Sequence, residues 1–273
     1  MRGRLSCFDP RPARSRSRTT LGREFARMGC ARAAPHAAFI ERPLVAMDVR
    51  LLSHTPDPER AIAAAARLCY APVGAAELLE TMSDESVHKV LKTIITSGHT
   101  SALEHASCTF AIDGVSRALT HQLVRHRLAS YNQQSQRYVS YTDEPQFIVP
   151  PSVAEDPVAL KRYKAANAAA FAAYRELLDA GVPAEDARYL LPNAMETKIV
   201  VTMNVRELLH FFELRCCKRA QWEIRDLALA MLELAEPTAP YIFLDAGASC
   251  RRGPCREGKM TCGDPYPKAP NRD

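Results

Sequence analysis

Glycine is scarce, with 11 residues in 273, and no two of them stand in a G-x-G-x-x-G or Walker pattern. A Rossmann or P-loop cradle, in which backbone N–H groups close on a phosphate, therefore lacks its warrant, and any dinucleotide has to be held by side chains. No apolar run approaches the length needed to span a bilayer, which argues against a transmembrane role. The nine cysteines are an odd number with no secretory signal ahead of them, favouring free thiols in a reducing cytoplasm over a disulfide framework. No histidine follows His210, and Cys250, Cys255 and Cys262 are spaced by four and six residues, a poor pattern for a zinc knuckle, so no metal site is expected. Cys255 also sits among glycines with no base to activate it as a nucleophile.

What is present is an ordinary globular composition, 47% hydrophobic and 25% charged, enough for a substantial core. The formal charge of +5 suggests nucleic acid until it is divided along the chain. Residues 1–46 hold ten Arg against Asp9, Glu24 and Glu41, a balance of +7, so the remainder carries −2. That remainder is no broad footprint for a polyanion, and its arginines act locally. Residues 1–46 show no sustained period and are expected to be a disordered Arg-rich extension, with Met47 opening a catalytic domain over 47–248 and a Cys-containing tail at 249–273.

Alternation predicts a strand over Val49–Leu52, then a helix from Asp57-Pro58-Glu59 to Tyr70 with proline in the tolerated first turn. Val87, Val90, Leu91, Ile94 and Ile95 predict a second helix, capped by Ser83 or Asp84 and stopped by Gly98. After the polar turn 98–105, with His99, Glu104 and His105 suited to hydrogen bonding more than to a metal, a strand places Ala106, Cys108, Phe110 and Ile112 on one face and ends at Asp113-Gly114. A helix over 115–124 turns Val115, Ala118, Leu119 and Leu123 inward. Short strands are expected at 138–141 and 147–149, a long Ala-rich helix from about 154 to 180 closed by Gly181, a short helix at 184–191, and a strand over 197–203. Two helices follow, over 205–217 with Val205, Leu208, Leu209 and Phe212 inward, and over 221–235. Beyond Pro240 the tail is expected to hug the surface or a partner subunit.

The chemistry concentrates in Arg125-His126-Arg127-Leu128-Ala129-Ser130-Tyr131-Asn132-Gln133-Gln134-Ser135-Gln136-Arg137-Tyr138, which has no acidic residue to neutralise its cations. Guanidinium forks fit phosphate or carboxylate, while Ser, Asn and Gln orient a polar ring or sugar. A phosphorylated heterocycle suits that inventory, and a solvated basic turn is the bland alternative. Arg188, Arg206 and Arg215 are further cations, although Arg188 on its short helix is a solvent residue by default. His126, between two arginines, should have its charged form disfavoured.

Arg125-His126-Arg127-x-x-Ser130-x-Asn132-x-x-Ser135-x-Arg137-Tyr138 resembles the signature of flavin-dependent thymidylate synthases. The likeness extends from Gly98-His99-Thr100-Ser101 to Ala187-Arg188, Asn204-Val205-Arg206, and Arg215 with Ala220-Gln221-Trp222-Glu223. It implies an α/β (α+β) fold with a central, mostly antiparallel sheet, a homotetramer with shared active sites, and conversion of dUMP to dTMP. FAD would be the cofactor, with NADPH and 5,10-methylenetetrahydrofolate as co-substrates. By position, Ser101, Arg125, His126, Arg127, Gln133, Asn204, Arg206 and His210 would contact FAD. Gln122, Arg125, Gln133, Gln134, Ser135, Gln136, Arg137, Arg188 and Arg215 would hold dUMP, and Arg215 would be the catalytic cation at the uracil. Gln133 stands where many members carry Glu, leaving only hydrogen bonding there, and His210 replaces an Asn found in some.

Overall fold

The computed structural model describes residues 46–270 apart from 142 and 144, so the expected extension lies, but for Ala46, outside the described residues. In chain order the elements are β1 (Asp48–His54), α1 (Pro58–Leu68), α2 (Ala75–Thr81), α3 (Asp84–Thr96), β2 (Ser107–Ser116), α4 (Arg117–Leu123), β3 (Ala129–Gln133), α5 (Pro151–Ala154) and α6 (Pro157–Asp179). Then come α7 (Ala184–Ala187), β4 (Glu196–Asn204), α8 (Val205–Arg215), α9 (Trp222–Ala235) and α10 (Pro240–Phe243). The four strands form one antiparallel sheet in the order β1-β2-β4-β3.

Alternation sets the sheet's faces. Cys108, Phe110 and Ile112 of β2 pair with Met203, Val201 and Ile199 of β4, which pair in turn with Ala129, Tyr131 and Gln133 of β3. The helices cover this face, α9 packing on β1 and β2 and α8 on β4, and Phe110, Val201 and Met203 are fully buried. Opposite lie Thr109, Ala111, Val200 and Thr202, half-exposed, with the two threonine hydroxyls bonded at 2.9 Å. A smaller cluster of Phe171, Tyr174 and Ala187 seats α6 on the segment carrying Tyr141 and Phe147.

Caps explain the helix starts. Asp57 accepts from Arg60 N, Ser83 from Ser86 N, and Asn204 from Glu207 N. The expected strand end at Asp113-Gly114 is displaced. Gly114, at φ +71°, absorbs a β-bulge, and β2 runs on through Val115 to Ser116, so α4 starts only at Arg117 and Ala118 is exposed. Residues 138–141 form no strand, because Tyr138 and Val139 are exposed and have no strand beside them, and Phe147 makes only an isolated bridge to Met195. The long Ala-rich helix is present as α6, starting at Pro157 because Asp156 accepts from Val158 N and Ala159 N, with the short α5 ahead of it.

The tail departs from expectation in its first part, where Ile242, Phe243 and Ala246 are buried in the main core. Further on it clasps the end of α8. Glu213 pairs with Arg252 at 2.7 Å and Arg256 at 2.5 Å, and Lys218 pairs with Asp264 while its ammonium lies 4.8 Å from the Tyr266 ring centre. The cysteines among the described residues are free thiols, and Cys217, Cys250, Cys255 and Cys262 line one small pocket beneath this clasp.

Candidate active site

Three stretches converge on the sheet's β3–β4 side: the turn from α4 into β3, the loop after β3, and α8. α4 ends at Leu123, and the chain turns through Arg125 and His126, whose backbone N–H groups reach Gln122 O (3.2 Å) and Leu123 O (3.1 Å). The Tyr131 hydroxyl lies 2.8 Å from both Leu123 O and His126 O, its one hydrogen shared between them, and locks this turn against β3. Burial pushes that phenol well above its ordinary range, so it stays a donor.

His126 is the most buried cation-capable group of the motif. Its Nδ1 lies 3.1 Å from Glu207 Oε1, and its Nε2 accepts from Arg215 Nε at 3.1 Å. Its ring meets Phe211 edge-on at 4.9 Å, and His210 lies 5.8 Å away. Its pKa is lowered, first by burial, against the raising influence of the Glu207 hydrogen bond and with a further lowering by Arg215. The charged form is disfavoured, as the sequence led one to expect, although the leading cause is burial and the cation that adds to it is Arg215, not a chain neighbour. Arg215 is half-buried at the end of α8, and burial lowers its pKa too. Its hydrogen bond goes to an imidazole nitrogen and not to a carboxylate.

A second group forms below the loop after β3. Gln133 donates both amide hydrogens inward, to Thr120 Oγ1 (3.1 Å) and Thr197 Oγ1 (3.2 Å). What it offers a ligand is its carbonyl oxygen, an acceptor. Ser135 Oγ accepts from Arg137 N at 3.1 Å, and the Arg137 guanidinium pairs with Glu185 at 2.8 Å on the surface. Glu185 also accepts Arg188 Nε through its carbonyl at 3.0 Å, which brings Arg188 to the same place. Gln134 O accepts from Arg117 Nη1 at 3.4 Å, and burial lowers the pKa of the half-buried Arg117, with a smaller lowering from Arg188. Gln136 is buried, with its amide on Met195 Sδ at 3.4 Å, and Gln122 donates to Gln221 Oε1 at 3.3 Å.

A third patch lies at the start of α8, where exposed Arg206 pairs with Glu104 at 2.5 Å beside exposed Ser101 and the Asn204 cap. His210 follows one turn later, exposed. Arg125 is exposed with Nε on His121 O at 3.3 Å, while Arg127 is exposed and stands outside these networks. The residues that sequence reasoning did not single out are Arg117, Thr120, Glu207 and Thr197. Arg117 carried a signal, being a cation in the first turn of a helix, where the dipole disfavours it; the others were visible only through long-range contacts.

These side chains thus fall into three groups: Arg215 with His126 and Glu207, the amides and cations around Ser135, and Arg206 with Ser101 and Asn204 at the start of α8. A family profile described as thymidylate synthase complementing protein matches residues 50–241. A flavin-dependent thymidylate synthase of Geobacter sulfurreducens is 59% identical over 219 residues, 80% of this chain and 94% of that protein. One of Clostridium tetani is 48% identical, over 79% of this chain and 92% of the relative. The crystal structure of the UMP/dUMP methylase PolB from Streptomyces cacaoi bound with 5-Br dUMP superposes with a TM-score of 0.64 at 25% identity, covering 72% of this chain and 93% of that one. The chain belongs to the flavin-dependent thymidylate synthase family.

Proposed function

We propose that the protein methylates dUMP to dTMP, with 5,10-methylenetetrahydrofolate as carbon donor and NADPH as reductant through FAD, in a reducing cytoplasm. The observation that carries this reading is Arg215, a half-buried guanidinium whose tether is a neutral imidazole, leaving its charge for a ligand. Placed at the uracil edge, it stabilises negative charge developing at N3 and O4 and polarises the ring for chemistry at C5. Ser135, Arg137 and Arg188 take the phosphate, Gln122, Gln134 and Gln136 shape the pocket between, and the Gln133 carbonyl accepts from a ring N–H. No protein nucleophile is needed, and Cys216 beside Arg215 is ill suited to be one, since burial pushes its thiol up to about 12.

The donor set fits a flavin dinucleotide. Arg125, Arg127 and Arg206 are exposed guanidiniums for a pyrophosphate, and Ser101, Asn204 and His210 lie along the start of α8 to orient the ring system. His126 stands behind this set, its ring nitrogens being engaged. When bound, the flavin supplies hydride; the protein supplies orientation and electrostatics. A homotetramer with shared sites agrees with the exposure of these arginines, of Leu52 and Leu128, and of the sheet's second face.

Arg137 has to exchange Glu185 for the phosphate. Their pair is surface-exposed and worth about 0–1 kcal/mol, so the exchange costs little. Arg137→Ala is expected to raise KM for dUMP about ten- to a hundredfold with kcat within about threefold, as for loss of a charge-assisted bond made equally in ground and transition states. Steady-state kinetics against dUMP checks this. The reading as a whole is tested by colour. Purified protein should show oxidised-flavin absorbance or take up added FAD and bleach with NADPH. A colourless preparation that takes up no FAD would contradict it.

A further inference from the structure

Glu207 is a carboxylate with 7% side-chain exposure on a helix whose Arg206 pairs with Glu104 at the surface and whose Glu213 pairs with the tail. Asn204-x-x-Glu207 spells a capping box, yet only half of it is made. Asn204 Oδ1 accepts Glu207 N–H at 2.8 Å, while the Glu207 carboxylate turns to His126 Nδ1. A local rule broken in this way points to another use of the side chain. With Nδ1–H given to Glu207, the neutral ring presents its Nε2 lone pair, and that lone pair accepts Arg215 Nε–H. The guanidinium is thereby fixed in plane and direction, with the four hydrogens on Nη1 and Nη2 left for a ligand.

We propose that Glu207 and His126 are positioning residues, a relay that sets the His126 tautomer and through it the orientation of the Arg215 guanidinium toward the uracil. The proposal rests on the reading of Arg215 given above. Neither residue touches the reacting atoms. Their effect is on the transition state through Arg215, so it shows in kcat and leaves KM for dUMP and flavin content alone. It also carries a pH signature. The groups facing the His126 ring are Glu207, His210 and Arg215 of α8, with the Tyr131 phenol of β3 on the backbone of its turn. Protonation would turn Nε2 from acceptor to donor and set a cation against Arg215, so activity falls on the acid side as His126 charges. Glu207 opposes the lowering of the His126 pKa, so removing its charge moves that acid limb to lower pH.

The test is steady-state kinetics and flavin content of holoenzyme for Glu207→Gln, Glu207→Leu, Arg215→Ala and the Glu207→Leu/Arg215→Ala double variant. Glu207→Gln keeps an acceptor for Nδ1–H and should stay within about threefold of wild type at neutral pH, with its acid limb shifted down. Glu207→Leu should lose about ten- to a hundredfold in kcat, with KM and bound FAD near wild type, as expected for a misaligned catalytic group. In the double variant the leucine should add nothing to the loss from Arg215→Ala. Wild-type kcat in Glu207→Leu, or independent losses in the double variant, would overturn the relay while leaving Arg215's role standing. Wild-type kcat in Arg215→Ala would remove that role itself. Should Glu207→Leu fail to fold, the Gln variant decides alone, and an acid limb that does not move, or moves up, overturns the proposal.

Discussion

Arg215→Ala is expected to lower kcat for dTMP formation by about a hundred- to a thousandfold, the scale of removing one preorganised donor from a developing anion. Arg215 emerges at the end of α8 with its charge unmatched and its Nε on His126. A guanidinium already partly stripped of water interacts more strongly with charge appearing beside it than a solvated one would, and it needs no reorganisation when that charge forms. Stability should change little, because the bond lost is to a ring that keeps its Glu207 partner. Flavin content should also hold. The combination of intact fold, intact flavin and collapsed kcat, measured by product formation and absorbance, separates this role from a structural one. Arg215→Lys should recover only part of the loss, since an ammonium has no Nε to anchor and no planar fork to present.

The second large effect is on stability. Glu223, in the first turn of α9, is buried, and its two carboxylate oxygens accept Ser116 N–H and Oγ–H, each at 2.6 Å. Ser116 in turn caps α4 through Leu119 N at 3.0 Å. One carboxylate thus joins the end of β2, the start of α4 and the start of α9, where helix dipoles favour an anion. Burial raises its pKa, and the two Ser116 bonds work against that rise. Glu223→Ala would strand a buried N–H and a hydroxyl and is expected to cost about 2–4 kcal/mol. For a domain of this size that is a fall in Tm of about 5–15 °C, measurable by calorimetry with FAD held constant. Glu223→Gln keeps the acceptor for the N–H and can donate to Ser116 Oγ, so it should lose clearly less.

Much of this architecture was legible because periodicity is a local signal. β2 and β4 alternate cleanly, and α3, α8 and α9 show apolar stripes bounded by caps. β3 was not legible. Ala129-Ser130-Tyr131-Asn132-Gln133 has no β-branched residue, and its strand character comes from pairing with β4 across some seventy positions of chain. The reverse error at 138–141 came from aromatic residues that look strand-like but have no strand to pair with. The start of α6 was written in Asp156-Pro157, the same signal that starts α1 at Asp57-Pro58.

The site divides in the same way. Arg125, Arg127, Arg137, Ser135 and the Gln133-Gln134 amides stand in one motif, so they could be read together. Glu207 meets His126 from 81 positions away, and Thr197 meets Gln133 from 64, contacts that no spacing rule encodes. The motif therefore carried the resemblance, while the fold alone disclosed how Arg215 is held.

The central claim is best tested by tritium release from C5-labelled dUMP, followed together with dTMP formation, in the presence of FAD, NADPH and methylenetetrahydrofolate. Release and product in equal amounts, abolished when the flavin or NADPH is withheld, are the predicted result. Product formed at full rate without flavin and NADPH, or no product when all four components are present, would contradict it.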